Sequence, residues 1–153
     1  MKARCVFLDR DGVINEKAPP GGYIETRQQF RLLPQAAEWI RLFNALDFLV
    51  IVVTNQRGIA RGLVAETELA LIHQKMRDEL GERGARIDDI FYCPHDLDSC
   101  ECRKPKPGMI HAARDKWNID VERSLILGDS DCDEELAAAC GARFLRVVDG
   151  RIV

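Results

Sequence analysis

The sequence predicts one three-layer α/β/α domain of the Rossmann-like type, built on a parallel sheet of about five strands. Five short apolar segments alternate along the chain with segments of helical periodicity. This alternation is typical of right-handed crossovers that place helices on both faces of a parallel sheet. The chain has 153 residues, which fits one such domain and leaves little room for a second. We therefore expect a single domain over residues 1–153.

The five apolar segments have the length and composition of buried strands. Each is a short run dominated by Val, Ile, Leu and Phe, which suits strands that helices cover on both faces. The predicted strands are residues 4–9, 48–53, 90–92, 124–128 and 143–148.

The segments between these strands carry apolar residues at helical spacing. The first helix is predicted to begin at Pro34, because proline favours a first helical position. The second has an apolar stripe over residues 69–80 and is predicted to stop at Gly81. Two further helices are predicted over residues 108–117 and 133–140. We interpret His73 and His111, which fall within these helices, as packing or surface residues.

Composition excludes several classes of protein. The 22 Lys and Arg residues nearly balance the 25 Asp and Glu residues, for a formal net charge of −3, and 46% of residues are hydrophobic. These values are ordinary for a soluble globular protein and disfavour a disordered chain or a general nucleic-acid binder. The longest apolar stretch, residues 48–53, is too short to span a bilayer, and no signal-peptide hydrophobic region follows Met1. We therefore expect a cytoplasmic protein without a nucleic-acid or membrane partner.

Acidic residues follow two of the predicted strands. Asp9 and Asp11 end the first strand, and Asp129 follows the fourth. Because the carboxyl ends of parallel strands share one rim, where ligands bind, these carboxylates are expected to converge. Mg²⁺ would relieve their repulsion and leave one carboxylate free as a nucleophile. The alternatives are a solvated acidic turn at Asp9 and Asp11 and, for Asp133, simple capping of a helix.

Groups that suit phosphoryl oxygens lie at the same rim. Thr54 and Asn55 end the second strand and offer a hydroxyl and backbone amides, while Arg103 and Lys104 can supply positive charge. The alternatives are an ordinary strand-to-turn residue at Thr54 and a solvated basic patch at Arg103 and Lys104.

Three of the six cysteines fall within ten residues of one another. Together with one histidine they offer a tetrahedral set for a structural Zn²⁺ that would staple a long loop. The predicted ligands are Cys93, His95, Cys100 and Cys102. A redox pair and free thiols are the competing interpretations. The remaining cysteines at positions 5, 132 and 140 are interpreted as buried or incidental thiols.

In chain order these residues resemble the motifs of the haloacid dehalogenase superfamily of phosphotransferases. The matching positions are Asp9-Arg10-Asp11-Gly12, Thr54, Lys104, and Gly128-Asp129 with Asp133. The resemblance implies that Asp9 attacks phosphorus to form an aspartyl-phosphate, while Asp11 protonates the leaving oxygen and later activates water. It also implies that Asp9, Asp129 and the backbone carbonyl of Asp11 bind Mg²⁺, and that Thr54 and Lys104 hold the phosphoryl group.

The cysteine-rich loop narrows the resemblance to the branch that holds heptose bisphosphate phosphatases and histidinol-phosphate phosphatases. Members of this branch share a C-x-H…C-x-C-R-K-P loop and lack a large cap domain. The resemblance implies a phosphomonoesterase that acts on a small phosphorylated sugar, most similar to the heptose enzymes, which remove the C7 phosphate of heptose 1,7-bisphosphate. The expected substrate contacts are Asn55, Gln56, Arg61 and Arg103. We expect a monomer.

Two features keep alternatives open. The short spacing from His95 to Cys100 is closer to the histidinol-phosphate enzymes, so hydrolysis of that amino-alcohol phosphate is a second possibility. Ser130 stands where a basic residue commonly follows the last motif's aspartate. A non-catalytic, zinc-stapled binding module is a third possibility, which the presence of all the motif residues disfavours.

Overall fold

The computed structural model describes residues 1–153 and contains a six-stranded sheet with the strand order β3-β2-β1-β4-β5-β6. Five strands are parallel and β6 pairs antiparallel with β5. The strands are β1 Cys5–Leu8, β2 Leu49–Asn55, β3 Asp89–Cys93, β4 Leu125–Gly128, β5 Arg143–Val148 and β6 Arg151–Ile152. The helices are α1 Pro34–Ala45, α2 Glu66–Glu82, α3 Gly108–Trp117 and α4 Asp131–Cys140.

The two faces of the sheet carry separate apolar cores, and this confirms the three-layer architecture. Alternate residues of a strand point to opposite faces. Accordingly, Val6 and Leu8 of β1 pack in one cluster with residues of α1 and α2 such as Ile40. Cys5 and Phe7 belong to a second cluster with residues of α3 and α4. The central strands β1, β2 and β4 are buried because a helical layer covers each face, whereas the outer strands β3, β5 and β6 are partly exposed.

One additional strand and several element boundaries differ from the sequence-based expectation. A sixth strand is present, and its two residues are too few to produce a hydrophobic pattern. Helix α2 continues to Glu82, so the predicted stop at Gly81 is wrong, and Gly84 instead adopts the positive φ of +77° that the following turn requires. Helix α4 begins at Asp131, two residues earlier than expected, with acidic residues in a first turn that they stabilise.

The topology brings the carboxyl ends of β1, β2 and β4 side by side, since β1 pairs with both of the others. A cavity of about 350 Å³ lies there. None of the helices has the length and hydrophobicity that crossing a membrane requires.

Candidate active site

The cavity at the strand ends brings together most of the residues that the sequence singled out. The predicted residues that line it are Asp9, Asp11, Asn55, Gln56, Arg103 and Lys104. Asp133, Lys17 and Tyr23 also line it, as does Ser130. Thr54 is fully buried and Arg61 is exposed, and neither lies in the lining.

Three carboxylates converge at the strand ends. Asp9 and Asp133 line this cavity, whereas Asp129 lines the neighbouring one. One oxygen each from Asp9, Asp129 and Asp133 lie within 4.8 Å of one another. The Lys104 ammonium, whose side chain is only 3% exposed, lies 3.1 Å from Asp9 and 2.8 Å from Asp133. Burial works to lower the pKa of Lys104, but Asp9 and Asp133 outweigh it and raise that pKa, so the lysine is charged.

The cluster fits a divalent cation. Burial raises the pKa of Asp9 to about 7, and the charges of Asp133, Asp11 and Asp129 add to this rise while Lys104 opposes it. One buried oxygen of Asp129, Oδ1, has no hydrogen-bond partner, which is a costly state for a buried carboxylate. A hard cation bound by oxygen ligands would satisfy that atom and relieve the repulsion.

Glycines at two positions allow this cluster to form. Gly12 has φ +84°, and a Cβ there would lie 2.3 Å from Oδ2 of Asp129. A Cβ on Gly128 would lie 2.2 Å from the carboxyl carbon of Asp133. Both glycines are therefore required by close approach of a carboxylate, and Gly12 also by its backbone conformation.

The carboxylate of Asp11 stands apart from this cluster. Its Oδ1 accepts hydrogen bonds from Arg10 Nη2 at 2.8 Å and Asn15 Nδ2 at 2.9 Å, and its Oδ2 accepts one from Gln56 Nε2 at 3.1 Å. Burial works to raise the pKa of Asp11, but Arg10, Asn15 and Gln56 outweigh it and hold that pKa below its ordinary value. The Asp11 carboxylate is thus held in place beside the cluster by its own set of hydrogen bonds.

The residues at the end of β2 organise the neighbouring segments. Gln56 Nε2 also donates to Oγ1 of Thr54 at 3.0 Å. The Asn55 side chain accepts a hydrogen bond from the Lys104 amide at 2.9 Å and donates to the Lys104 carbonyl at 3.3 Å. Asn55 therefore fixes the backbone that carries Lys104, a role that the sequence did not indicate.

Two arginines predicted to contact substrate occupy different surroundings. Arg103 lines the cavity, and its buried Nη1 has no hydrogen-bond partner. Arg61 instead packs over the ring of Tyr23, with its guanidinium carbon 5.8 Å from the ring centroid. Tyr23 lines the cavity, so Arg61 is connected to the cavity through Tyr23.

The cysteine-rich loop forms the second cluster. The ligand atoms of Cys93, His95, Cys100 and Cys102 lie within 4.8 Å of one another, and Cys93 Sγ lies 3.0 Å from Cys102 Sγ and 3.5 Å from Cys100 Sγ. These sulfur separations are too long for a disulfide bond, and the four side chains are the Cys₃His set that a tetrahedral Zn²⁺ site uses.

The thiols of this cluster differ in the direction of their pKa shifts. Burial and the two neighbouring thiols raise the pKa of Cys102 to about 12. Burial works in the same direction at Cys100, but the backbone amides of Arg103 and Cys102 outweigh it and lower that pKa to about 6. A bound Zn²⁺ would turn this crowding of thiols into favourable coordination by thiolates.

Sequence reasoning missed two cations at the site. Arg10 is fully buried and pairs with Asp11, and Lys17 lies 2.7 Å from Oδ2 of Asp129. Arg10 could have been noticed as a charged residue inside a buried strand end, which needs a partner. Lys17 stands in a loop with no periodicity, so no pattern points to it.

Comparisons with known proteins agree with this geometry. A family model described as HAD-hydrolase-like matches residues 101–152. A D-glycero-beta-D-manno-heptose-1,7-bisphosphate 7-phosphatase of Rhodopseudomonas palustris is 44% identical over 145 residues, which cover 90% of this chain and 79% of that protein. A D-glycero-alpha-D-manno-heptose-1,7-bisphosphate 7-phosphatase of Campylobacter jejuni is 39% identical over 147 residues, covering 95% and 83%.

A solved structure matches the whole architecture. The D,D-heptose 1,7-bisphosphate phosphatase of B. bronchiseptica, complexed with magnesium and phosphate, superimposes with a TM-score of 0.88 at 34% identity and covers 97% of this chain and 83% of that one. The fold and the strand-end acids thus define a hydrolase of the haloacid dehalogenase class. Within that class, the chain belongs to the family of the heptose-1,7-bisphosphate 7-phosphatases.

Proposed function

We propose that this protein is a Mg²⁺-dependent phosphatase that removes the C7 phosphate of D-glycero-D-manno-heptose 1,7-bisphosphate. The observation that carries the proposal is the carboxylate cluster at the end of β1, where Asp9 meets the unpartnered oxygen of Asp129 and the buried ammonium of Lys104. Asp9 and Lys104, the proposed nucleophile and phosphoryl-binding charge, then line one cavity, and the proposed cation ligand Asp129 lies beside Asp9. The relatives that act on heptose bisphosphates support the choice of substrate.

Asp9 is the nucleophile in this proposal. Its Oδ1 accepts hydrogen bonds from the Arg10 amide at 2.8 Å and from Lys104 at 3.1 Å, so the carboxylate is held in one orientation. Mg²⁺, held by Asp9, Asp129 and the main-chain carbonyl of Asp11, would neutralise the carboxylates and the charge of the phosphoryl oxygens. Thr54 and Lys104 would hold that phosphoryl group.

The reaction has two half-reactions. In the first, a carboxylate oxygen of Asp9 bonds to phosphorus, the bond from phosphorus to the C7 oxygen breaks, and Asp11 gives its proton to that oxygen. In the second, Asp11 takes a proton from water, the hydroxide bonds to phosphorus, and the acyl-phosphate bond breaks to release phosphate and free Asp9. Asp11 is ionised in the free protein. The negative charge of the bound phosphate would raise the pKa of Asp11 and so favour the protonated form that donates to the leaving oxygen.

The rest of the substrate would be recognised by the cavity walls. A volume of about 350 Å³ suits a small sugar phosphate. The unpartnered Nη1 of Arg103 would bind the second phosphate or a sugar hydroxyl. Gln56 lines the same wall, and Arg61 would act through Tyr23.

A structural Zn²⁺ at Cys93, His95, Cys100 and Cys102 completes the proposal. This cluster directly precedes Arg103 and Lys104, so a fixed loop would fix both cations. Elemental analysis of the purified protein should find about one zinc per chain, and Cys93→Ser should lose the zinc together with most of the activity. A fully active zinc-free Cys93→Ser protein would refute the structural role.

The cellular context is proposed on the same basis. The enzyme is proposed to act as a monomer whose partner is a small phosphorylated sugar. The thiols are all free, which supports a reducing compartment such as the cytoplasm.

The decisive experiment measures phosphate release from both anomers of heptose 1,7-bisphosphate and from histidinol phosphate, with Asp9→Asn as the blank. A heptose bisphosphate is expected to exceed histidinol phosphate by at least about a hundredfold in kcat/KM, which corresponds to about 2.7 kcal/mol of transition-state discrimination. Preference for histidinol phosphate would refute the substrate, and equal activity of Asp9→Asn would refute the nucleophile.

A further inference from the structure

A buried polar chain lies behind Asp11, and the proposed reaction leaves its last member without a role. Arg10 has a fully buried side chain. Its guanidinium donates to Oδ1 of Asp11 from Nη2 at 2.8 Å and Nε at 3.3 Å, while Nη1 lies 3.2 Å from Nε2 of His73. His73 comes from helix α2, 63 residues along the chain, so the contact joins two distant elements.

The chemistry of arginine decides which way this last hydrogen bond runs. A guanidinium has only donors, so Nε2 of His73 accepts the bond and the ring is neutral with its proton on Nδ1. Burial and the charge of Arg10 lower the pKa of His73 to about 3, with Asp11 opposing and Arg77 adding to the shift. The residue is 7% exposed and its ring lies 6.1 Å from that of Tyr92. His73 is therefore a fixed, neutral acceptor.

The chain distinguishes the two oxygens of Asp11. Oδ1 already accepts from Arg10 and from Asn15, whereas Oδ2 accepts only from Gln56. Rotation of the carboxyl group out of its present plane would break these hydrogen bonds, and the guanidinium of Arg10 opposes that rotation. Arg10 can do this only while its own orientation is fixed, and its far side is held by His73.

We infer that His73 is a positioning residue which, by accepting a hydrogen bond from Arg10, orients Asp11 so that Oδ2 exchanges the proton with the leaving oxygen. The inference rests on the proposed function, since it takes Asp11 as the acid of the reaction. His73 touches no substrate in this scheme. Its loss should therefore slow proton transfer and leave substrate binding unchanged.

Three variants at this position separate the hydrogen bond from simple packing. The amide oxygen of His73→Gln reaches about as far as Nε2 and can accept from Arg10, whereas that of His73→Asn is one methylene shorter. His73→Leu keeps the volume and removes the acceptor. His111→Leu, on the exposed surface of α3, is the matched control. Circular dichroism and the thermal midpoint show which variants are folded, and the Gln and Asn pair keeps the test valid if Leu does not fold.

The measurement is the single-turnover rate with enzyme in excess, for two phosphate esters. One is a sugar or other alkyl phosphate, whose leaving oxygen needs a proton. The other is an aryl phosphate whose acidic phenol leaves without one. For the alkyl ester, His73→Leu and His73→Asn are expected to lose at least about tenfold in rate with KM within about twofold, since small misplacements of a catalytic group are costly. For the aryl ester the rate should stay within about twofold, and His73→Gln and His111→Leu should match the wild type with both.

Several results would overturn the inference. These are equal losses with both esters, a Gln variant as slow as the Asn variant, or an Asn variant as fast as the wild type. Its failure differs from failure of the proposed function. If wild-type protein releases no more phosphate than Asp9→Asn, the proposed function itself is wrong, whereas an active wild type with unaffected His73 variants refutes only the positioning role.

Discussion

Replacing Lys104 by methionine should destabilise the protein and change how its stability depends on pH. The lysine is buried and pairs with Asp9 and Asp133. Removing one partner of a buried ion pair leaves uncompensated charge, at a cost of about 3–5 kcal/mol. For a chain of this size, that loss lowers the thermal midpoint by about 6–20 °C.

The sign of the pH effect follows from Asp9. Its pKa in the folded protein, about 7, is above the ordinary value of 3.8, so the folded state binds more protons than the unfolded state between these values. Such a group stabilises the fold at low pH, and its contribution disappears as the pH rises through the folded pKa. Because the charge of Lys104 opposes this rise, Lys104→Met should raise the pKa further, by an amount that adds about 1.4 kcal/mol per unit to the stability regained on acidification.

The assay is urea unfolding of zinc-loaded, magnesium-free protein at pH 8 and pH 5. The difference between wild type and Lys104→Met should be about 3–5 kcal/mol at pH 8 and smaller by at least about 1 kcal/mol at pH 5. Lys116→Met is the matched control, because that lysine is 59% exposed and its bond to Asp89 is worth at most about 1 kcal/mol. A Lys104 effect no larger than the control, or one that grows on acidification, would refute this account of the cluster.

Three further changes test other parts of the site. Gly12→Ala should abolish Mg²⁺-dependent activity because its Cβ would lie 2.3 Å from Asp129, whereas Gly21→Ala, with a similar φ of +81° and open space around it, should retain activity. Lys17→Met removes a cation from Asp129. The Mg²⁺ concentration that gives half-maximal activity should therefore fall by up to about fivefold, which corresponds to the free energy of an exposed ion pair. A higher half-saturating concentration would contradict this prediction. The pKa of His73 falls from 6.5 to about 3 on folding, so the unfolded chain binds one more proton between these pH values. Relative to His73→Gln, the wild type should therefore lose about 1.4 kcal/mol of stability for each pH unit below 6.5. An equal dependence of stability on pH in the two proteins would refute this prediction.

The site was predictable from sequence where its chemistry is local or lies at a strand end. The proposed zinc ligands Cys93, His95, Cys100 and Cys102 are close along the chain, so their clustering is visible as spacing. Asp9 and Asp129 are distant in sequence, but the rule that parallel strands share a carboxyl rim places them together. Prediction of the three-layer fold was confirmed for the same reason, because strand and helix periodicities are properties of single segments.

The remaining features depend on contacts between distant segments, and the sequence patterns of these segments do not predict the contacts. His73 lies on the apolar side of α2, where helical periodicity predicts a packing role for every residue. Only the three-dimensional structure shows that Arg10 lies beside it. Asn55 has the residue type of a ligand contact, yet both ends of its side chain hold the backbone of Lys104. Strand β6 has two residues, which cannot display alternation.

The charges around the strand ends explain why a divalent cation would activate the nucleophile as well as bind the phosphate. Four carboxylates, those of Asp9, Asp11, Asp129 and Asp133, are in ion-pair contact with three cations, which leaves one negative charge unmatched. A divalent cation held there would change this excess into one positive charge, which would favour the binding of a phosphoryl group. The raised pKa of Asp9, about 7, disfavours its charged form, and added positive charge would lower that pKa and favour the carboxylate that the proposed attack requires. The same ion would thus help to bind the substrate and activate Asp9, the proposed nucleophile.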